Sequence, residues 1–204
     1  MHVDRAVYKS LREKYGDEQV YVVPYQSMKN VPDKFTPCND IASLSEYDKI
    51  GRYILRYDAE ENVSFQQLIP HIMIKNQQGK YLVADRISGD ERLTGQKTLG
   101  FGGHIDPVDG HVSVILNGMM RELYEEVDIK PISPTYIYKG TMRDLSSSTS
   151  DHTGFIFEIT VKSAKIKETH KLKGQWMTVE QLVDHYFQFE SWGKMYIDYL
   201  YENR

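Results

Sequence analysis

An acidic stretch at residues 121–129 constrains this chain more than any other feature. It is spelled Arg-Glu-Leu-Tyr-Glu-Glu-Val-Asp-Ile, and as a helix it places Glu122, Glu125 and Glu126 on one face. Apolar residues occupy the adjoining face, which can pack on a core. Two carboxylates about 5 Å apart repel by roughly 3 kcal/mol at an effective dielectric of about 20. We therefore expect a bound cation to offset this repulsion.

Mg²⁺ is the cation that suits such a cluster, because it accepts carboxylate oxygens together with waters and substrate phosphates. The alternative is a solvated acidic face on which Arg121 pairs with Glu125 one helical turn away. The preceding segment favours a ligand site. Gly102 and Gly103 allow a backbone to approach a ligand closely, and residues 107–110 end the strand before the helix begins.

These residues resemble the Nudix hydrolase box, which runs Gly, five residues, Glu, seven residues, then Arg-Glu-apolar-x-Glu-Glu-x-Gly-apolar. The matching positions are Gly103, Arg121, Glu122, Leu123, Glu125, Glu126 and Ile129. The chain departs from the box at three points. Asp109 stands at the first glutamate, Asp128 at the last glycine, and eleven residues instead of seven separate Asp109 from Arg121.

The resemblance implies an α/β fold, the Nudix α/β/α sandwich around a mixed β-sheet, here with an N-terminal extension. It divides the chain into an extension at 1–66 that packs on the core and a Nudix domain at 67–204, with the box at 103–129. Segments 65–70, 99–105 and 152–154 look like an uncharacterised bacterial branch described as predicted phosphoesterases.

The resemblance and the helical spacing together suggest roles for the box residues. Glu122, Glu125 and Glu126 are the expected metal ligands, with the Gly103 carbonyl as a further oxygen. Arg121 is expected to hold a glutamate in one rotamer. Glu122 or Glu125 is the expected general base, so the catalytic set is Glu122, Glu125 and Arg121.

Several residues outside the acidic helix are candidate substrate contacts. His104 follows the glycines, and His152 lies where related enzymes often supply a ligand or base. Either could equally be an ordinary strand or loop histidine. Arg56, Arg86 and Arg92 could bind phosphates bidentately, or could each be solvated.

Composition excludes several classes of protein. The 204 residues carry a net charge of -4 with no basic patch, which argues against nonspecific nucleic-acid binding. No apolar run approaches the ~20 residues that span a bilayer, and no signal sequence is visible. The single cysteine, Cys38, excludes an internal disulfide. We expect a cytoplasmic protein.

The predicted function is hydrolysis, dependent on Mg²⁺ or Mn²⁺, of a diphosphate linkage in a nucleoside diphosphate derivative or a related organic pyrophosphate. Two alternatives use the same fold. One is a ligand-sensing or scaffold domain without catalysis, and the other is a prenyl diphosphate isomerase that would need a cysteine facing the substrate. We expect no membrane partner and a homodimer, because the extension is too sparse in aliphatic residues to form its own core.

Local patterns predict the elements around the box. They indicate a hairpin of 69–75 and 80–87, strands at 136–142 and 154–162, a helix capped by Thr178, and a loop at 26–43. If the insertion before Arg121 adds a helical turn, Val112 continues the buried stripe and Gly118 lies inside a helix.

Overall fold

The structure is a computed structural model that describes residues 5–60, 62–88, 94–147 and 149–204. Its strands are β1 Gln19–Pro24, β2 Phe35–Pro37, β3 Arg52–Leu55, β4 Phe65–Asn76, β5 Tyr81–Arg86, β6 Lys97–Leu99, β7 Phe101–Gly102, β8 Val127–Met142, β9 His152–Ile166 and β10 Leu172–Met177. Its helices are α1 Arg5–Tyr15, α2 Tyr25–Met28, α3 Ser45–Ile50, α4 Arg56–Ala59, α5 Val114–Glu126, α6 Val179–Asp184 and α7 Ser191–Glu202.

One mixed sheet organises the described chain, with a central order β10-β5-β4-β9-β8-β2. Strands β4 and β9 pair in parallel, whereas β5 with β10 and β8 with β9 pair antiparallel. None of the described helices is both long and apolar enough to cross a membrane.

Strand β4 is buried on both faces, because helices cover the sheet on each side. Leu68 and Ile72 join the apolar cluster that includes Leu123 of α5. Ile69 and Met73, which point the other way, join the cluster that includes Tyr196 of α7. This confirms the predicted α/β/α arrangement.

The predicted hairpin and helix cap are confirmed. Lys75 pairs with Tyr81 at the end of an antiparallel β4–β5 hairpin. The Thr178 hydroxyl accepts the Gln181 amide at 3.3 Å, and the Gln181 side chain accepts the Thr178 amide at 2.9 Å. This reciprocal capping box begins α6.

Three local predictions were wrong. The acidic helix ends at Glu126, because Val127 begins β8 and pairs with Ile166. Gly118 lies inside α5 as predicted, but Val112 does not continue the buried stripe, because its side chain is exposed in a loop that ends at Ser113, where φ is 55°. The supposed loop at 26–43 contains the end of α2, strand β2 and a 3₁₀ turn at Ile41–Leu44.

The N-terminal extension supplies strands to the sheet. Strand β1 pairs with β4, β3 pairs with β1, and β2 pairs with β8. The predicted boundary between residues 66 and 67 falls inside β4. The division into 1–66 and 67–204 stays a prediction.

The extension also holds the beginning of α5. The Asp48 carboxylate accepts the backbone amides of Ser113 and Val114, at 2.7 and 3.1 Å. The Tyr53 hydroxyl donates to the Gly110 carbonyl at 2.6 Å. Asp48 thus caps α5 from outside the helix and satisfies amides that have no intrahelical partner.

We expect Gly118→Ala to destabilise the protein, against the gain of about 1 kcal/mol that helix propensity alone would give. A Cβ at this position would lie 3.1 Å from the Ile105 Cγ1, 3.2 Å from the Asp109 Oδ2 and 3.3 Å from the Pro70 Cγ. Such overpacking costs roughly 1 to 3 kcal/mol. Urea unfolding measures the change, with Tyr124→Ala on the exposed face of α5 as control. A more stable Gly118→Ala protein would contradict this packing.

Candidate active site

Arg121 of α5 is the centre of a network of carboxylates. Its Nε and Nη2 donate to both oxygens of Asp109, at 3.0 and 3.1 Å. Its Nη1 donates to Glu122 at 2.8 Å and to Glu125 at 3.1 Å. Burial alone would lower the pKa of Arg121, but the hydrogen bonds with Asp109 and Glu122 raise it. Arg121 therefore stays charged and fixes these side chains, as a positioning residue must.

Gly103 brings the preceding backbone onto Glu122, and Gly102 packs that backbone against β4. A Cβ on Gly103 would lie 2.6 Å from the Glu122 Oε1, and one on Gly102 would lie 2.0 Å from the Pro70 carbonyl oxygen. The Gly102 amide lies close enough to the Glu126 carboxylate to lower its pKa in part. Arg121 also donates to the carbonyl of His104 at 2.7 Å, so one guanidinium joins the glycine segment to the helix.

Glu126 lies in an unfavourable environment for a charge. Burial and the nearby Glu122 carboxylate raise the pKa of Glu126 to about 7, although Arg86 and the Gly102 amide lower it in part. Burial likewise raises the pKa of Glu122, against the opposing effect of Arg121. A cation between the two carboxylates would relieve this cost, and carboxylate oxygens are ligands that Mg²⁺ prefers.

Glu122 and Glu126 thus fit a divalent cation, whereas Glu125 fits less directly. The Glu125 side chain is 59% exposed and pairs with Arg121. Within the described ranges, no three His, Cys, Asp or Glu side chains converge as a ready-made metal cage. A third side-chain ligand would need a side-chain rotation.

A cavity of about 390 Å³ lies against Gly102 and Gly103. The four predicted substrate contacts all line it, namely Arg56, Arg86, His104 and His152. The structure therefore brings together residues from four separate parts of the sequence. Arg92, the fifth candidate, lies outside the described residues.

Comparisons with known proteins address the fold and the family. No family model matches the chain. Over 169 residues it is 31% identical to Protein YmaB of Bacillus subtilis, covering 77% of this chain and 82% of that protein. Tm1382, a provisionally assigned Nudix hydrolase, superposes with a TM-score of 0.78 at 24% identity and covers 92% of this chain and 100% of its own.

The chain belongs to one family with Protein YmaB, and its fold is the Nudix fold. A MutT protein from Methanosarcina mazei Go1 shares that fold, with a TM-score of 0.53 at 16% identity over 68% of this chain and 94% of its own. DR0079 from Deinococcus radiodurans gives a TM-score of 0.55 at 14% identity, covering 90% and 99%.

Asp109 stands at the first glutamate of the Nudix box and still contacts Arg121, despite the insertion between these two residues. The Asp109 side chain is 2% exposed and binds Arg121 with both oxygens. The extra residues form an exposed loop. They therefore change neither the contact between Asp109 and Arg121 nor the position of Glu122 on the helix.

The two cavity-lining arginines differ in their partners. Arg56 pairs with Glu18 at 2.7 Å and Glu60 at 3.0 Å, and its guanidinium lies 4.3 Å from the ring centre of Tyr15. The Arg86 Nε has no hydrogen-bond partner within the described part of the chain, and it lies 3.9 Å from the Glu190 carboxylate. Arg86 is therefore the better candidate to bind a phosphate.

The two cavity-lining histidines, His104 and His152, begin a series of contacts between polar side chains. Their Nε2 atoms share a hydrogen bond at 3.2 Å, between His104 and His152. The His152 Nδ1 is 2.6 Å from Asp151, a charge contact without the alignment of a hydrogen bond, and the Gln67 amide donates to Asp151 at 3.1 Å. Asp151 and Gln67 thereby help to fix the ring of His152.

Sequence reasoning missed part of the cavity wall. The additional lining residues include Gln96, Ser147, Thr149, Glu190, Ser191 and Trp192. Trp192 lies at helical spacing from Tyr196, and both side chains belong to the core beneath α7. Nothing in the spacing indicated that the start of α7 also faces the cavity.

Proposed function

We propose that this protein hydrolyses, with Mg²⁺ or Mn²⁺, a diphosphate linkage in a nucleoside diphosphate derivative or a related organic pyrophosphate. The observation that carries the proposal is the partly buried Glu122–Glu126 pair, which contacts the Gly102–Gly103 backbone at the edge of the cavity. The two carboxylates would bind the cation, and the adjoining Arg86 would bind a phosphate oxygen.

Glu122 and Glu126 would hold the ion, with Glu125 or the Gly103 carbonyl as further ligands. Once bound, such an ion supplies charge neutralisation for the phosphates and a water of lowered pKa. Arg121 keeps Glu122 in one rotamer. Glu125, the most exposed of the three glutamates, takes the proton of the attacking water, and Arg86 binds a phosphate oxygen.

The prenyl diphosphate isomerase alternative receives no support from the position of the cysteine. Cys38 is exposed, and it is not among the described residues that line the cavity. A sensing or scaffold domain has no need for the costly Glu122–Glu126 pair, and an activity assay separates it from an enzyme. The homodimer and the cytoplasmic location stay predictions.

The test is a panel of nucleotide sugars, dinucleoside polyphosphates, ADP-ribose and oxidised nucleoside triphosphates, each assayed with Mg²⁺ and again with excess chelator. We expect release of phosphate or nucleotide from at least one class, and its loss in chelator. Turnover that survives the chelator would refute the metal requirement. Tight binding of a panel member without turnover would favour the sensing domain.

A further inference from the structure

Two imidazole rings meet in the wall of the cavity. The Nε2 atoms of His104 and His152 are 3.2 Å apart, with 5.3 Å between the ring centres. The His152 side chain is only 7% exposed. Both residues line the cavity, so an ion held between the two nitrogens would lie inside it.

The separation of these nitrogens is close to that of two ligands on one tetrahedral metal ion. Zinc binds an imidazole nitrogen at about 2.0 to 2.1 Å, and a tetrahedral angle then places two such nitrogens about 3.3 to 3.4 Å apart. The observed 3.2 Å falls just short of this separation. A zinc ion could therefore replace the proton that the two nitrogens share, with only a small shift of either ring.

The surroundings of His152 favour the tautomer that a metal requires. A metal binds the unprotonated ring nitrogen, so the proton of a neutral imidazole must be on the other nitrogen. The Asp151 carboxylate lies 2.6 Å from the His152 Nδ1 and favours a proton there, which leaves Nε2 as the ligand atom. The Gln67 amide donates to Asp151 at 3.1 Å and restrains this carboxylate in turn. A carboxylate behind the ring is the usual support of a zinc-binding histidine.

The charges in the cavity wall do not oppose a cation. Each of the two cavity-lining arginines has a carboxylate beside it. Arg56 pairs with Glu60 at 3.0 Å, and the Arg86 Nε lies 3.9 Å from Glu190. Asp151 adds a further negative charge next to the histidine pair. The pair therefore lies where a positive ion is favoured over a negative one.

The histidine pair is chemically distinct from the carboxylates proposed to bind Mg²⁺. Across the part of the chain that the structure describes, no carboxylate or thiol joins the two rings as a third protein ligand. Water would fill the remaining positions on an ion bound there. Imidazole suits Zn²⁺, whereas Mg²⁺ prefers oxygen ligands. The two sites should therefore select different ions.

We propose that His104 and His152 form a second metal site in this cavity, which binds one Zn²⁺ ion through both Nε2 atoms and selects Zn²⁺ over Mg²⁺. The site is additional to the proposed hydrolytic centre. It requires no diphosphate, because both protein ligands are already in place. Zinc binding can therefore be measured without substrate and without an activity assay.

The test is a calorimetric titration of the full-length protein with Zn²⁺, without substrate and with Mg²⁺ in large excess to occupy the carboxylate pair. We expect one Zn²⁺ to bind per chain. His104→Gln and His152→Gln should each weaken binding at least about tenfold, because each removes one of two protein ligands. His170→Gln, at an exposed histidine that does not line the cavity, is the matched control and should leave the affinity unchanged.

Co²⁺ provides a second measurement that needs no variant and so does not depend on whether a variant folds. Four-coordinate Co²⁺ absorbs visible light much more strongly than six-coordinate Co²⁺. We expect the wild-type protein to give the strong bands with Co²⁺, and we expect Zn²⁺ but not excess Mg²⁺ to abolish them. Thermal unfolding checks that the three histidine variants are folded.

Four outcomes would overturn the zinc site. They are no Zn²⁺ binding in excess Mg²⁺, an unchanged affinity in either cavity-histidine variant, absence of the four-coordinate Co²⁺ bands, and a loss of affinity in Glu126→Gln as large as in His152→Gln. The last result would assign the zinc to the carboxylate pair instead. The proposed function is tested separately by hydrolysis with Mg²⁺ alone, so either proposal can fail while the other stands.

Discussion

Replacing Arg121 by lysine should lower kcat/KM at least about a hundredfold and destabilise the fold by about 2 to 4 kcal/mol. Lysine keeps the charge but cannot reproduce a planar fork that binds both oxygens of Asp109, the Glu122 carboxylate and the His104 carbonyl. Asp109, which is 2% exposed, would keep its charge and lose its paired donors. Urea unfolding and steady-state kinetics measure the two effects.

Arg12→Lys is the matched control, because Arg12 is exposed on α1. It should leave both measurements unchanged. If Arg121→Lys kept the wild-type kcat/KM on a hydrolysed panel substrate, Arg121 would not be the residue that holds Glu122 and the glycine segment in register. A loss of stability without a loss of kcat/KM would show that Arg121 serves only as a structural ion pair.

In metal-free buffer at pH 8, Glu126→Gln should be more stable than the wild-type protein by roughly 1 to 3 kcal/mol. Burial and Glu122 raise the pKa of Glu126 from 4.5 to about 7 in the folded state. Between these values the unfolded chain releases its proton first, so the free energy of unfolding falls as the pH rises. Glutamine has no charge at any pH, so the free energy of unfolding of Glu126→Gln does not fall in this way.

The advantage of Glu126→Gln should therefore shrink to about 0.4 kcal/mol near pH 4.5, where the glutamate is protonated in the folded protein and half protonated in the unfolded chain. Urea unfolding in excess chelator across pH 4.5 to 8 follows the difference. Glu125→Gln is the control, because the Glu125 side chain is 59% exposed. A difference that does not vary with pH, or a wild-type protein as stable as Glu126→Gln at pH 8, would contradict the environment assigned to Glu126.

The centre of the site was predictable because it depends on short-range geometry. Helical spacing alone places Glu122, Glu125 and Glu126 on one face, and the glycine pattern predicts a close backbone approach at Gly103. Gly103 does lie directly against the Glu122 side chain, and the predicted approach to a ligand stays a prediction. The role of these residues in metal binding stays a prediction.

The parts that sequence did not reveal depend on contacts between distant segments. The end of α5 is set by pairing of Val127 with Ile166, which overrides the helical pattern through Ile129. Asp48 caps α5 from α3 of the N-terminal extension, and no local pattern links that helix to the box. Glu190 reaches the cavity because α7 packs beside β6, where the Glu190 amide donates to the Lys97 carbonyl.

The most direct test of the central claim is a Mg²⁺ titration of diphosphate hydrolysis by the wild-type protein and Glu126→Gln, with the best substrate of the panel. The wild-type rate should rise from zero in chelator to saturation, and Glu126→Gln should stay at least about a hundredfold below it at every Mg²⁺ concentration that activates the wild-type protein, while remaining folded. Equal rates for the two proteins, or a wild-type rate independent of Mg²⁺, would contradict the assignment of the Glu122–Glu126 pair as the metal-binding centre of a hydrolase.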